Sequence, residues 1–191
     1  DVTKDDEKWN NVKTYLDFTA DCEDRDFKLA IYGGDTRKHL INKTGRNDIE
    51  SVKVAKDGEY LYFRITATED ITAYEQGDTN WMNVWIKTAN GAGDMLNGYN
   101  YVINRNVHNG KTDVMRTKSA NNVKKCGEGD VSVFGKAMVI RVPLSALGLS
   151  GTDYTFEFKV TDNVNFDNDY MNLYDTGDCA PCGRFNFQFG Y

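Results

Sequence analysis

Trp81 and Trp85 stand four residues apart in the run Trp81-Met82-Asn83-Val84-Trp85-Ile86-Lys87. Side chains along a strand alternate between two faces, so Met82, Val84 and Ile86 are expected in a core, with Trp81, Asn83, Trp85 and Lys87 on the opposite face. An extended strand holds the two indoles about 13 Å apart, a spacing that suits sugar rings two or three units apart. A flat aromatic beside water packs on the C–H face of a sugar while neighbouring polar groups take its hydroxyls. A loop over 68–78 could equally cover both rings and make them a second core, and the spacing leaves both readings open. Tyr99 and Tyr101 follow in Tyr99-Asn100-Tyr101-Val102-Ile103-Asn104, with Arg105 next as a hydrogen-bond donor. The candidate glycan contacts are therefore Trp81, Asn83, Trp85, Lys87, Tyr99 and Arg105. Tyr60, Tyr62 and Arg64 form a second polar-aromatic face, ranked lower because tyrosine is an ordinary strand former.

Arg46, Asn47 and Asp48, with Asp162, Asn163 and Asp178 near Arg184, are the main polar set apart from the aromatics. Two carboxylates can act as a glycosidase pair when one is raised to serve as acid. Each carboxylate here has an arginine nearby in sequence at a strand end, which favours buried structural ion pairs over catalysis. Calcium stands between these readings, since Asp and Asn oxygens at strand ends suit a hard cation. Two histidines, no nucleophile elbow and no phosphate loop leave no positive case for a hydrolytic triad or nucleotide chemistry. The expectation is a protein that is not an enzyme, with no cofactor beyond a possible calcium.

The elements that must carry these residues read as short strands. Asp57-Gly58 sits at the tip of a hairpin between Ile49–Ala55 and Glu59–Thr68, where Leu61, Phe63, Ile65 and Ala67 alternate with Tyr60, Tyr62, Arg64 and Thr66. Phe27 to Tyr32 is a strand ended by Gly33-Gly34, and 1–26 is an extended arm or edge strand pinned by Trp9, Val12, Tyr15, Leu16 and Phe18. After Trp81–Thr88 come a glycine-rich loop over 89–98, a strand over Tyr99–Asn104, and a polar pair around 112–118 and 122–126. Val131–Val142 places Met138, Ile140 and Val142 on one face. Pro143-Leu144-Ser145-Ala146-Leu147-Gly148-Leu149 then reads as one helical turn, with proline at its start and glycine at its end. Tyr154, Phe156, Phe158 and Val160 alternate with polar residues, as do Phe185, Phe187 and Phe189. About nine or ten such strands make an all-β fold, a two-sheet antiparallel β-sandwich of jelly-roll type, the economical expectation.

The 191 residues suit one domain, 1–191, and the 2 prolines, 17 glycines and 13% aromatic content agree with a β protein. A net charge of -6 with scattered lysines and arginines argues against nucleic acid. No apolar run is long enough to cross a bilayer. A start at Asp1 is expected of a processed or excised piece of a larger protein. Cys22, Cys126, Cys179 and Cys182 are an even set for an extracellular domain, so one or two disulfides are expected. Three pairings are open, of which Cys179–Cys182 with Cys22–Cys126 is preferred. A zinc site on Cys179 and Cys182 would need His39 or His108, which makes it the lesser reading. Asn42-Lys43-Thr44 is a glycosylation sequon, relevant only in a eukaryotic source.

The runs Thr44-Gly45-Arg46-Asn47-Asp48-Ile49, Gly98 to Arg105, Val142 to Leu149, Phe156 to Asn163 and Gly177-Asp178-Cys179-Ala180-Pro181-Cys182-Gly183-Arg184-Phe185-Asn186 together resemble the sandwich domains at the C-termini of bacterial secreted polysaccharide-active proteins. These are similar to the DOMON-like superfamily and the family-nine carbohydrate-binding modules. The resemblance implies a secreted, monomeric, non-catalytic domain that binds an oligo- or polysaccharide and adjoins other domains of a parent enzyme. Such a module works by raising local substrate concentration. The alternative is a structural or protein-binding sandwich that packs on a neighbouring catalytic domain. The haem binding known in some DOMON relatives would need an axial Met82 or His108.

Overall fold

A computed structural model describes residues 6–22, 24–30, 37–43, 45–89, 98–119, 122–165 and 171–190. Gly33, Gly34, Thr44 of the sequon, and residues 90–97 of the glycine-rich loop lie outside the described residues. Thirteen strands follow a 3-10 turn at Asp6–Trp9: β1 (Thr14–Leu16), β2 (Arg25–Ala30), β3 (Arg37–Asn42), β4 (Ile49–Lys56), β5 (Tyr60–Ala67), β6 (Asn83–Thr88), β7 (Tyr101–His108), β8 (Lys111–Ser119), β9 (Asn122–Phe134), β10 (Ala137–Pro143), β11 (Phe156–Asp162), β12 (Asp178–Ala180) and β13 (Phe187–Phe189). One helical turn, α1 (Asn172–Asp175), precedes β12. None of the described helices is long and apolar enough to cross a membrane.

The fold is all-β and antiparallel, but the expected two separate sheets are one. Hydrogen bonds run unbroken in the order β1-β4-β5-β10-β9-β8-β7-β6-β11-β12, and β13 shares the outer edge of β11 with β12. β2 and β3 form a small sheet of their own. The reason lies in the β8–β9 hairpin. Segments expected to break near 126 are one 13-residue strand, Asn122–Phe134. Its pairing with β8 shifts between Val114 and Met115 and again between Thr117 and Ser119. Such bulges bend a sheet without ending it, so the strands curl into a nearly closed barrel. At the seam β12 lies against β4, and the Ile49 backbone N–H donates to Asp178 Oδ2 at 2.6 Å.

The interior follows the alternation. Leu61, Phe63, Ile65, Met138, Ile140, Val142, Phe156, Phe158 and Val160 are all fully buried in one cluster. Phe63 on β5 faces Phe158 on β11 across it, ring centres 5.8 Å apart. Each such ring contributes roughly 1.5–3 kcal/mol by leaving water. Turn chemistry is also as expected. Asp57 Oδ1 accepts the Glu59 and Tyr60 N–H groups at 2.8 and 2.7 Å at the β4–β5 tip. Leu144–Leu147 is a 3-10 turn closed by Gly148 at φ 63°. The N-terminal arm is pinned by buried Trp9 and Tyr15, with β1 on the sheet edge. Phe185 departs from the expected run: it precedes β13 and stands in solvent.

Candidate functional site

The tryptophan platform depends on Trp81 and Trp85 sharing one open face, and they do not. Met82 has φ 42°, in the left-handed region that side chains seldom adopt. This one residue breaks the alternation and starts β6 at Asn83. Trp81 therefore turns into the main core with Met82, edge-on to Tyr74 at 5.4 Å, while Trp85 packs on the other side of the sheet with Tyr99, Val102, Val164, Leu173 and Cys179. They are 2% and 1% exposed. Their ring N–H groups are used internally, Trp81 Nε1 donating to the Thr72 carbonyl and Trp85 Nε1 to Thr161 Oγ1, both at 2.9 Å. Neither ring face is open to a sugar. Residues 68–78 do cover Trp81, through Thr72 and Tyr74, whereas the cover over Trp85 comes from Val164 and Leu173.

The other expected contacts do converge, as a packed layer outside β6 and β7. Asn83 shares the Trp85 side of β6 and is fully buried, its amide donating to the Trp81 carbonyl at 3.3 Å. The Tyr99 hydroxyl donates to Asn186 Oδ1 at 2.5 Å. Asn186 donates to Glu157 Oε2 at 2.8 Å, and Lys87 pairs with Glu157 Oε1 at 3.2 Å. Arg105 is half-buried with its guanidinium 6.0 Å from the Trp85 ring. Burial lowers its pKa, and it forms no ion pair with a described residue. Asn83, Trp85, Lys87, Tyr99 and Arg105 thus belong to one layer, and Trp81 does not.

The expected arginine pairing holds for Asp162, through Arg46 from a distant segment, whereas Asp48 and Asp178 accept backbone N–H groups instead. Arg46 bridges Asp78 at 2.7 Å and Asp162 at 2.9 Å. Asp162 Oδ1 accepts the Met82 N–H at 2.9 Å, and Asn104 Nδ2 donates to the Met82 carbonyl at 3.0 Å. Complete burial still pushes the Asp162 carboxyl up to about 6, against Arg46. A carboxylate held this way is not placed to attack a substrate. At the seam the Ala20 N–H donates to both Asp48 oxygens at 3.0 Å. Asp21, Asp48 and Asp178 offer oxygens within 4.8 Å of one another. Burial pushes Asp178 up to about 8, with Asp21, Asp17 and Asp48 adding to it, and likewise Asp17 up to about 7. These oxygens are where the calcium expectation falls. Lys159, fully buried, reaches the Pro181 carbonyl nearby, and burial lowers its pKa.

The expected disulfides are not formed, and none of the four cysteines is bonded to another through sulfur. Cys22 contacts the Gly45 carbonyl at the seam, while Cys126 contacts the Val114 and Ala146 carbonyls on β8 and the turn before Gly148, so the long pairing has no common neighbour. Cys179 donates to the Leu173 carbonyl at 2.8 Å and accepts from the Gly183 N–H at 3.3 Å. Of the two candidate axial ligands for haem, Met82 is sealed in the main core and His108 lies on the β7–β8 hairpin.

One feature went unnoticed in the sequence and one expectation is overturned. An open cleft of about 390 Å³ lies beside the β4–β5 tip, lined by Glu59, Tyr60, Pro143, Ser145 and Ser150 among others. The aromatic signal at Tyr60 marked it, but its far wall is ninety residues away. Leu16 and Phe18, expected to pin the arm, do not: they are 72% and 75% exposed beside β1, and Phe185 before β13 is 69% exposed. Comparison with protein-family profiles, curated proteins and solved structures finds no match for this chain.

Proposed function

We propose that this is a non-catalytic interaction domain, a stiff β-scaffold that packs on a neighbouring domain of a secreted, polysaccharide-active protein. The observation that carries this reading is an inversion. The tryptophans that suited a ligand are sealed inside, while apolar side chains of another edge are left in water. β1 and β13 adjoin there: Tyr15 lies 5.2 Å from Phe187, and its hydroxyl donates to the Gln188 carbonyl at 2.8 Å. Leu16 and Phe18 flank Tyr15, and Phe185 precedes Phe187. Three exposed large apolar residues near one seam are more than the scattered singles of an ordinary surface. The resemblance to DOMON-like and family-nine domains supports the ancillary setting. Hydrogen-exchange mass spectrometry on the isolated domain and on the longer polypeptide tests it: residues 14–18 and 184–189 gain protection in the longer chain. Equal exchange in the two removes the reading.

A second reading keeps glycan binding but moves it to the Tyr60 cleft. Its size suits one or two sugar rings, with the Ser145 and Ser150 hydroxyls beside an aromatic edge. Arg141 braces Tyr60 from one side at 4.8 Å. Titration with plant and mucin oligosaccharides decides it: binding lost in Tyr60→Ala but kept in Lys87→Ala supports the cleft, and no heat from any glycan excludes it.

A further inference from the structure

The β7–β8–β9 face carries a set of side chains that neither reading uses. Asn109 and Gly110, at φ 50° and 73°, form the tight turn joining β7 to β8, and the adjoining pairs His108–Lys111 and Val107–Thr112 follow from it. Asp113 on β8 pairs directly with Glu128 on β9. His108, Asp113 and Glu128 consequently meet on one face of three consecutive strands.

The donor atoms lie close enough to reach one ion after small side-chain movements. His108 Nε2 lies 3.2 Å from Asp113 Oδ1 and 3.9 Å from Glu128 Oε2, and all three donor atoms fall within 4.8 Å of one another. A tetrahedral zinc ion with bonds of about 2.0–2.2 Å spaces its ligand atoms roughly 3.3–3.6 Å apart. The second Asp113 oxygen accepts from Asn106 Nδ2 at 2.8 Å, which orients the carboxylate and leaves Oδ1 facing His108. Asp113 is buried, whereas His108 and Glu128 are open enough for an ion to enter. The space between the carboxylates already selects a cation: Lys125 Nζ sits 2.5 Å from Asp113 Oδ1 and 3.0 Å from Glu128 Oε2, the same two atoms. Lys125 is itself half exposed on a flexible stem and can withdraw into water.

We propose that His108, Asp113 and Glu128 form a binding site for a divalent transition metal, zinc by its chemistry, with the ion displacing the Lys125 ammonium from the two carboxylates. One imidazole and two carboxylates suit zinc or cobalt, and the nitrogen ligand disfavours calcium and magnesium. His108 binds through unprotonated Nε2. Lys125 leaves as an ammonium, so its displacement exchanges no proton. Three protein ligands leave the fourth position to water. The bound ion ties three strands together across their outer face. Because Lys125 competes for the same two oxygens, apparent affinity is scaled down to the fraction of molecules in which it is withdrawn.

Calorimetric titration of the whole protein with zinc chloride, repeated with cobalt chloride and calcium chloride, tests the site. The expected result is one zinc equivalent, affinity at least about tenfold weaker in His108→Ala and about tenfold tighter in Lys125→Ala. Metal-free thermal midpoints of both variants near that of the unchanged protein show that the fold is intact. The cobalt form should show no thiolate-to-cobalt charge-transfer band. No uptake by the unchanged protein at about 1 mM zinc overturns the proposal. Uptake that persists in His108→Ala, that fails to tighten in Lys125→Ala, or that shows the thiolate band of a cysteine site also overturns it.

Discussion

The Asp162 carboxylate accepts the Met82 backbone N–H at 2.9 Å, and this bond, from β11 to the residue before β6, holds the left-handed turn that sends Trp81 and Trp85 to opposite sides of the sheet. Arg46 completes the arrangement by pairing with the other Asp162 oxygen at 2.9 Å. One buried carboxylate thus sets the direction of two indoles.

Removing Arg46 leaves that carboxylate buried without its cation. Arg46→Met should cost about 3–5 kcal/mol in urea unfolding at pH 8. The cost should shrink at pH 5, below the Asp162 value of about 6, because the carboxyl then takes a proton. A cost that does not change with pH means that the buried Asp162 charge is not its source.

The seam makes stability depend on pH in an unusual direction. Asp178 and Asp17 are pushed up to about 8 and about 7, above an unfolded value near 3.9. Between these limits the folded chain binds more protons than the unfolded one, so stability falls as pH rises from about 4 to about 8 and levels off above. Asp178→Asn keeps an acceptor for the Ile49 N–H and removes the charge, so its thermal midpoint should vary less over that range. Identical pH profiles for the two proteins would show that Asp178 is not the source.

Local signals were readable in the chain, and long-range ones were not. The alternation of Leu61, Phe63, Ile65 and Ala67, the Asp57-Gly58 tip and the Pro143 to Gly148 turn depend on neighbours a few residues away, and each stands where the spacing put it. Nothing near Met82 announces a left-handed residue. Its conformation is held by Asp162, eighty positions on, and by Asn104. The seam likewise joins Ile49 to Asp178 across 129 positions, and no period-two pattern records such a bond. Strand alternation did gather Asn83, Trp85 and Lys87 on one side, but the Val164 and Leu173 cover comes from a distant segment. His108, Asp113 and Glu128 went unseen because their meeting depends on two hairpin registers at once.

The cysteines offer a count. Cys126 and Cys182 are exposed, whereas Cys22 and Cys179 are buried, with burial helping to push the Cys22 thiol up to about 12. A thiol reagent should titrate two groups in the folded protein and two more after denaturation. Fewer than four in the denatured, unreduced chain would reveal a disulfide.

Trp85 carries structural weight. Trp85→Ala should destabilise the domain by about 3–5 kcal/mol, as a large core ring does. A variant as stable as the unchanged protein would mean that the ring is not enclosed.

The central claim is that the indoles belong to the interior, and all 3 tryptophans of the chain, Trp9, Trp81 and Trp85, are buried. Acrylamide quenching of tryptophan emission in the native domain tests it most directly. The predicted result is blue-shifted emission with little quenching until the protein unfolds. Red-shifted emission that is quenched freely in the native state would contradict it and return the tryptophans to the surface.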